Sequence, residues 1–350
     1  MILAALLAVV IGCGSPPVTP ILAAPFPKQL SAWGLFVGDL ADLMPNEGVE
    51  PYRLNTPLFS DYADKDRHLW LPEGTTIPYA AEGVLQLPQG AVIAKTFSAP
   101  GTTRRIETRL MVHTASGWVG LPYVWDEAQQ DATLRLAGAT LALTFTTPSG
   151  ESVALDYLVP DGNQCKGCHE TKTDVMSPIG PSARQLNGPS PAEGGENQLA
   201  RLSRLGMLTG APASPDDAPR APVWDDPTTG DLNARARTYL DINCAHCHSP
   251  DGPGNTSGLH LGVEVAGDAR ALGLCKPPIA AGQGSGGRRF SIVPGEPEAS
   301  ILLHRLASTA PGERMPELGR ALSHAEGVAL VTEWINTMPG ACETIPPTPG

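Results

Sequence analysis

The chain has 350 residues, 41% of them hydrophobic, enough for two or three domains and a sizeable buried core. With 38 glycines and 36 prolines it predicts long ordered loops in place of compact helices. A formal charge of −12 argues against nucleic acid as a partner and suits a protein steered toward a basic one.

Met1 to Ile11 is an almost unbroken apolar run, too short to cross a bilayer and of the length of a signal-peptide core. It ends in Val10-Ile11-Gly12-Cys13, which resembles a bacterial lipobox. That resemblance implies cleavage before Cys13 and lipid attached to it, and Gly14 in place of Asp favours the outer membrane. The alternative is a buried apolar segment with an incidental cysteine. Ser15 to Pro27 holds five prolines and reads as an extended tether, so residues 1–27 form a leader and tether.

Residues 28–160 read as a β-rich domain. Ile106, Thr108, Leu110 and Val112 alternate with Glu107, Arg109, Met111 and His113. Leu141, Leu143 and Phe145 alternate with Ala142, Thr144 and Thr146. Period two predicts half-buried strands, and the turn signals at Pro100-Gly101, Ser116-Gly117 and Pro148-Ser149-Gly150 separate them. The expected fold is an antiparallel sandwich or partial barrel of about six to eight strands.

Residues 161–222 open with Cys165-Lys166-Gly167-Cys168-His169, and a second copy of the pattern follows as Cys244-Ala245-His246-Cys247-His248. C-x-x-C-H is the attachment signature of c-type haem. Two thiols add across the porphyrin vinyl groups, and the next residue supplies a proximal imidazole. Positions i, i+3 and i+4 share a helical face, so all three groups reach one macrocycle. A four-cysteine zinc site, a thioredoxin-like redox pair and local disulfides are the competing readings, and each leaves the two histidines unexplained. Beyond the first motif, Asn197 to Leu208 reads as a helix with Leu199, Leu202, Leu205 and Leu208 on one face, followed by a Pro-rich linker from Ala211 to Pro222.

The last region, residues 223–350, is expected to be an all-α domain. Leu232 to Ile242 is a predicted helix leading into the second motif, Ser300 to Ala307 a short one, and Ser323 with Glu326 forms a capping box for a final helix. This order resembles class I cytochrome c. By that resemblance Met315, followed by Pro316, is the sixth ligand of the second haem opposite His248. For the first haem, His169 is the proximal ligand, and Met207, His113, Met176 and Met111 are the candidates for the sixth position, with an open iron as the other reading. His246 does not easily reach over its own ring, and His68, His260, His304 and His324 read as surface or loop residues. Arg288, Arg289 and Arg305 are candidate partners for the propionates of the second haem. Gly282, Gly284 and Gly287 spell a dinucleotide-type pattern, but neither a preceding strand nor a following helix supports it. Of seven cysteines, Cys275 and Cys342 remain and are expected to form a disulfide, with two buried free thiols as the alternative.

Longer stretches resemble a bacterial family of di-haem c-type cytochrome lipoproteins nearly end to end. They are Leu54 to Ala63, Pro122-Tyr123-Val124-Trp125, Asn163 to His169, Asp241 to His248, Cys275-Lys276-Pro277-Pro278 and Met315 to Arg320. The resemblance implies two covalently bound haem c groups, electron transfer in the bacterial cell envelope, a periplasm-facing lipid-anchored location and redox partners there, with a parallel β-helix protein as a further partner hint. It names no substrate. Besides an electron carrier, two other functions are open: a di-haem peroxidase-like enzyme with one open iron, and a β-rich binding module for a partner or glycan that uses the haems as its electron port.

Overall fold

The computed structural model describes residues 17–342 apart from positions 173, 266 and 280. Cys13 and the apolar run before it lie outside the described residues. Seven short strands come first: β1 (Val49–Tyr52), β2 (Asp64–Trp70), β3 (Ile77–Pro78), β4 (Val92–Ser98), β5 (Arg105–Thr114), β6 (Gly117–Trp125) and β7 (Ala132–Leu134). Six of them form one antiparallel sheet in the order β1-β2-β4-β5-β6-β7. β8 (Ala139–Thr146) and β9 (Ser152–Val159) form a separate hairpin.

The alternation along β5 sorts its side chains as period two requires. Leu110 and Val112 join Val92, Ala94, Leu121 and Tyr123 on one face, which the segment from Leu30 to Leu43 covers with Leu30, Trp33, Leu35 and Leu40. On the other face Met111 meets Leu69 and Ile93, and there the covering residues are Leu186, Leu199, Leu202 and Ile242. The sheet therefore lies between the N-terminal segment and the segments that carry the two cysteine motifs. The β8–β9 hairpin packs Leu143, Phe145 and Tyr157 against Phe97 and Ile106 at the end of the sheet. One sheet with an appended hairpin replaces the expected sandwich or partial barrel.

Next come α1 (Gly162–His169), the small hairpin β10 (Glu170–Lys172) and β11 (Val175–Met176), α2 (Ala183–Leu186), α3 (Gln198–Arg204) and β12 (Leu208–Thr209), which pairs in parallel with β3. α3 is shorter than the leucine spacing predicts, because Gly206 at φ +73 turns the chain into the left-handed region. The C-terminal helices are α4 (Leu232–Leu240), α5 (Ala269–Leu272), α6 (Ile301–Ala307) and α7 (Ala325–Asn336).

The expected C-terminal all-α domain does not form. The longest helix there, α7, has 12 residues, α4 has 9 and α6 has 7, and loop makes up most of the remainder. Between His248 and Ile301, and again between Ala307 and Ala325, proline and glycine interrupt the chain too often for a helical ladder to propagate. α7 also starts without the expected capping box. His324 is its N-cap and makes no side-chain capping bond. Its ring faces inward, and Glu326 instead accepts from the Tyr62 hydroxyl at 2.9 Å.

The segment from Leu54 to Ala63 locks the three regions together. Asn55 Nδ2 donates to Asn187 O and Ala221 O at 3.1 and 3.0 Å. Phe59 N donates to Asn243 Oδ1 at 2.9 Å, and Asp61 accepts from Ala321 N and Leu322 N at 2.8 and 2.7 Å. The expected disulfide is present: Cys275 and Cys342 are bonded across a separation of 67 residues.

Candidate functional site

The first motif rides on α1. Asp161 caps the helix by accepting from Asn163 N and Gln164 N, and Gln164 Oε1 accepts from Asp161 N in return. This fixes an eight-residue helix that would not persist alone. α1 lies against β6 at Gly120, where an added Cβ would sit 3.1 Å from both Cβ and Sγ of Cys165. Glycine gives this approach room, and any side chain there would push Cys165 back. Cys165 and Cys168 are free thiols, as are Cys244 and Cys247, so local disulfides do not form. The second motif follows α4, whose last turn widens into a π-helical turn at Asp241–Ala245 that carries Cys244. Such turns occur often at functional sites.

Both motif histidines have one ring nitrogen committed. His169 Nδ1 lies 2.9 Å from Ser177 O, a carbonyl that can only accept, so Nδ1 carries the proton. His248 Nδ1 lies 3.0 Å from Ser257 Oγ, whose own proton goes to Gly254 O at 2.7 Å. Each imidazole therefore keeps a bare Nε2, the tautomer in which a histidine binds a metal while its Nδ1 proton is held by a neighbouring oxygen. Burial pushes both pKa values down to about 4, so both rings are neutral at pH 7. The thiols move the other way, again through burial: Cys165 to about 11, Cys244 and Cys247 to about 12. Among the described residues no three or more His, Cys, Asp or Glu side chains converge as a metal-ion cluster. A four-cysteine zinc site would need four thiolates around one point.

Met315, Cys244, Cys247 and His248 line one cavity of about 530 Å³. That volume is within the usual range for cofactor pockets, about 300–1,000 Å³. Leu240, Leu259, Leu261, Ile301, Leu302 and Leu306 supply apolar wall. The loop bearing Met315 is held by a buried guanidinium. Arg320 Nη2 lies 2.7–3.1 Å from Met315 O, Arg305 O, Leu306 O and Ser308 O, which share its two hydrogens, and Nη1 donates to Leu322 O at 2.8 Å. Of the three arginines proposed as propionate partners, Arg305 lines the cavity. Arg288 donates to Glu298 O instead, and Arg289 lies over the Phe290 ring.

The two motifs touch. Cys247 Sγ is 3.6 Å from Gly167 O, and a Cβ on Gly167 would be 2.9 Å from Leu318 Cδ1, three residues past Met315. Gly167 and Cys168 of the first motif line the same cavity as the second. His246 lines it too, with a buried Nδ1 that has no hydrogen-bond partner among the described residues. Neither this contact nor the orphan nitrogen can be inferred from spacing along the chain.

The candidates near the first motif separate. Met176 Cε comes within 3.9 Å of the Gly120 Cβ position that Cys165 also crowds, and Met111 is the cross-strand neighbour of Gly120. His113 stacks on Trp118 and its Nδ1 contacts Leu87 O at 3.0 Å. Met207 lies in the turn after α3, where its N donates to Leu202 O. Two histidines read as surface residues are buried: His68 on β2 against Phe36, and His324, which stacks on Phe59 at 4.2 Å and bonds Tyr239 Oη at 3.0 Å. Their apolar neighbours come from distant segments, so no local pattern signals the burial.

Comparison with family models, curated proteins and solved structures returned no match.

Proposed function

We propose that this protein is an electron-transfer protein of the bacterial cell envelope that carries two covalently attached haem c groups. The observation that carries the reading is the pair of Cys-x-x-Cys-His motifs in direct contact, each with a neutral imidazole offering a bare Nε2. The residues fit the group: two thiols and an imidazole per motif, and for the second a methionine lining the same largely apolar cavity. Bound there, haem supplies a one-electron iron couple.

The chain's own residues then do three things. Cys165 with Cys168, and Cys244 with Cys247, anchor the macrocycles. Ser177 O and Ser257 Oγ orient His169 and His248 toward iron and hold the protons on Nδ1. Arg320 keeps the Met315 loop in place, and Met315 would there be the residue to hold the second haem, its thioether favouring reduced iron. The Cys247–Gly167 contact favours transfer between the two centres over independent action. The Cys275–Cys342 disulfide supports an oxidising compartment, in agreement with export.

The test is maturation in a haem-c-competent periplasm followed by a redox titration monitored in the visible. Two one-electron centres, with the far-red Fe–S(Met) band lost in Met315→Ala, support the proposal. Peroxide turnover with a reduced donor would point to the peroxidase-like enzyme instead.

A further inference from the structure

The sheet face toward the first motif carries a row of cations that the sequence hides. In register across neighbouring strands stand Arg67 on β2, Lys95 on β4 and Arg109 on β5, with Lys65 diagonal to them opposite Phe97. The lone carboxylate on this face of the three strands is Glu107, and Arg109 holds it in a bidentate pair at 2.8 and 2.5 Å, with Tyr157 Oη also on it. Arg67 is 6% exposed, and its guanidinium reaches Lys65 O at 3.4 Å. Lys95 Nζ lies 4.7 Å over the Phe97 ring and donates to no acceptor among the described residues. Asp64 and Asp66 point to the opposite face by the strand alternation. Four cations and one carboxylate on a half-buried surface are costly unless an anion faces them.

The row is placed for the first motif. Cys165 sits over Gly120 on β6, next to β5. Strands are spaced about 4.8 Å apart and the cation row stands two residues along the strands from the register of Gly120, so Lys95 and Arg67 lie about 12 and 16 Å from the Cys165 anchor, on the scale of a porphyrin from its thioether edge to the end of its propionates. Lys95 and Arg109 are also close enough to act electrostatically on His169 and Cys168.

We propose that Arg67 and Lys95, backed by Lys65 and Arg109, form the cradle for the two propionate carboxylates of the haem on the first motif. This rests on the two-haem reading above and adds the orientation of that haem: thioether edge on β6, propionates toward β2.

The test uses the matured full-length protein and its Lys95→Gln and Arg67→Gln variants, with haem content and the two midpoint potentials as readouts. The first haem is identified as the one lost in the Cys165→Ala/Cys168→Ala double variant. Cations near the propionates disfavour ferric iron. Each Gln variant is therefore expected to lower that haem's potential by at least a tenfold change in its reduction equilibrium, about 59 mV for one electron, and to leave the second unchanged. Two haems with both potentials unmoved would overturn the cradle and leave the two-haem reading intact. If a Gln variant loses the first haem, the charge-conserving variant at the same position, Lys95→Arg or Arg67→Lys, should retain it, and failure to do so also counts against the cradle. A wild-type protein without covalent haem would sink the underlying reading instead.

Discussion

Arg320 is the residue whose replacement tests the Met315 loop most sharply. The residue is 5% exposed, and its guanidinium lies within hydrogen-bond distance of five backbone carbonyls drawn from Arg305 to Leu322. Arg320→Met would fill much of the volume and leave those carbonyls facing an apolar chain. A single hydrogen bond from a charged donor contributes about 1.5–3 kcal/mol, and the terms are not additive when one side chain makes them all. Each buried acceptor left unsatisfied costs about 1–3 kcal/mol, so freeing the carbonyls together costs about 3–5 kcal/mol. At about 2 °C per kcal/mol for a chain of this size, the thermal midpoint is expected to fall by about 6–10 °C. The loss is local first, because the carbonyls freed belong to the Met315 loop. In the matured protein the Fe–S(Met) band should therefore vanish while both haems stay attached. Arg320→Lys should recover only a fraction, since a point charge cannot span the same carbonyls. A variant that keeps the band and melts within about 2 °C of wild type, on the same scale, would refute the reasoning.

Gly120→Val should block the approach of Cys165 to β6 and halve the covalent haem content, measured by pyridine haemochrome, with the second motif still loaded. Normal content would mean that α1 docks elsewhere. Replacing Cys275 and Cys342 by serine opens a loop of 67 residues and should cost about 4 kcal/mol in the chain-entropy model, read from denaturant unfolding. Burial lowers His324 to about 4, below its unfolded value near 6.5. The unfolded chain thus binds its proton first, and the stability is fully present above pH 6.5 and lost as pH falls toward 4, by about 3 kcal/mol. In His324→Phe that part of the pH dependence should flatten, and an unchanged slope of unfolding free energy between pH 6.5 and 4 would show that the ring does not titrate this way.

Local pattern was legible and distant pairing was not. The two cysteine motifs, the alternation of β5 and β8 and the Cys275–Cys342 pair could all be read because each depends on spacing or on counting. The three C-terminal helices were legible in the sequence and form close to where it places them, but the all-α domain expected from them was overread: the glycines and prolines between them leave a loop-built cavity in place of a helical bundle. The cation row was invisible, since Arg67, Lys95 and Arg109 become neighbours only through the registers of three strands. The Cys247–Gly167 contact was equally hidden, because it depends on how Leu54 to Ala63 ties the regions together.

The central claim is that each motif carries its own covalent haem. The most direct measurement is the denatured intact mass of the protein matured in a haem-c-competent periplasm, beside the Cys165→Ala/Cys168→Ala and Cys244→Ala/Cys247→Ala variants. The account expects two haems on the wild type and one on each double variant. A wild-type mass with no haem adduct would contradict it.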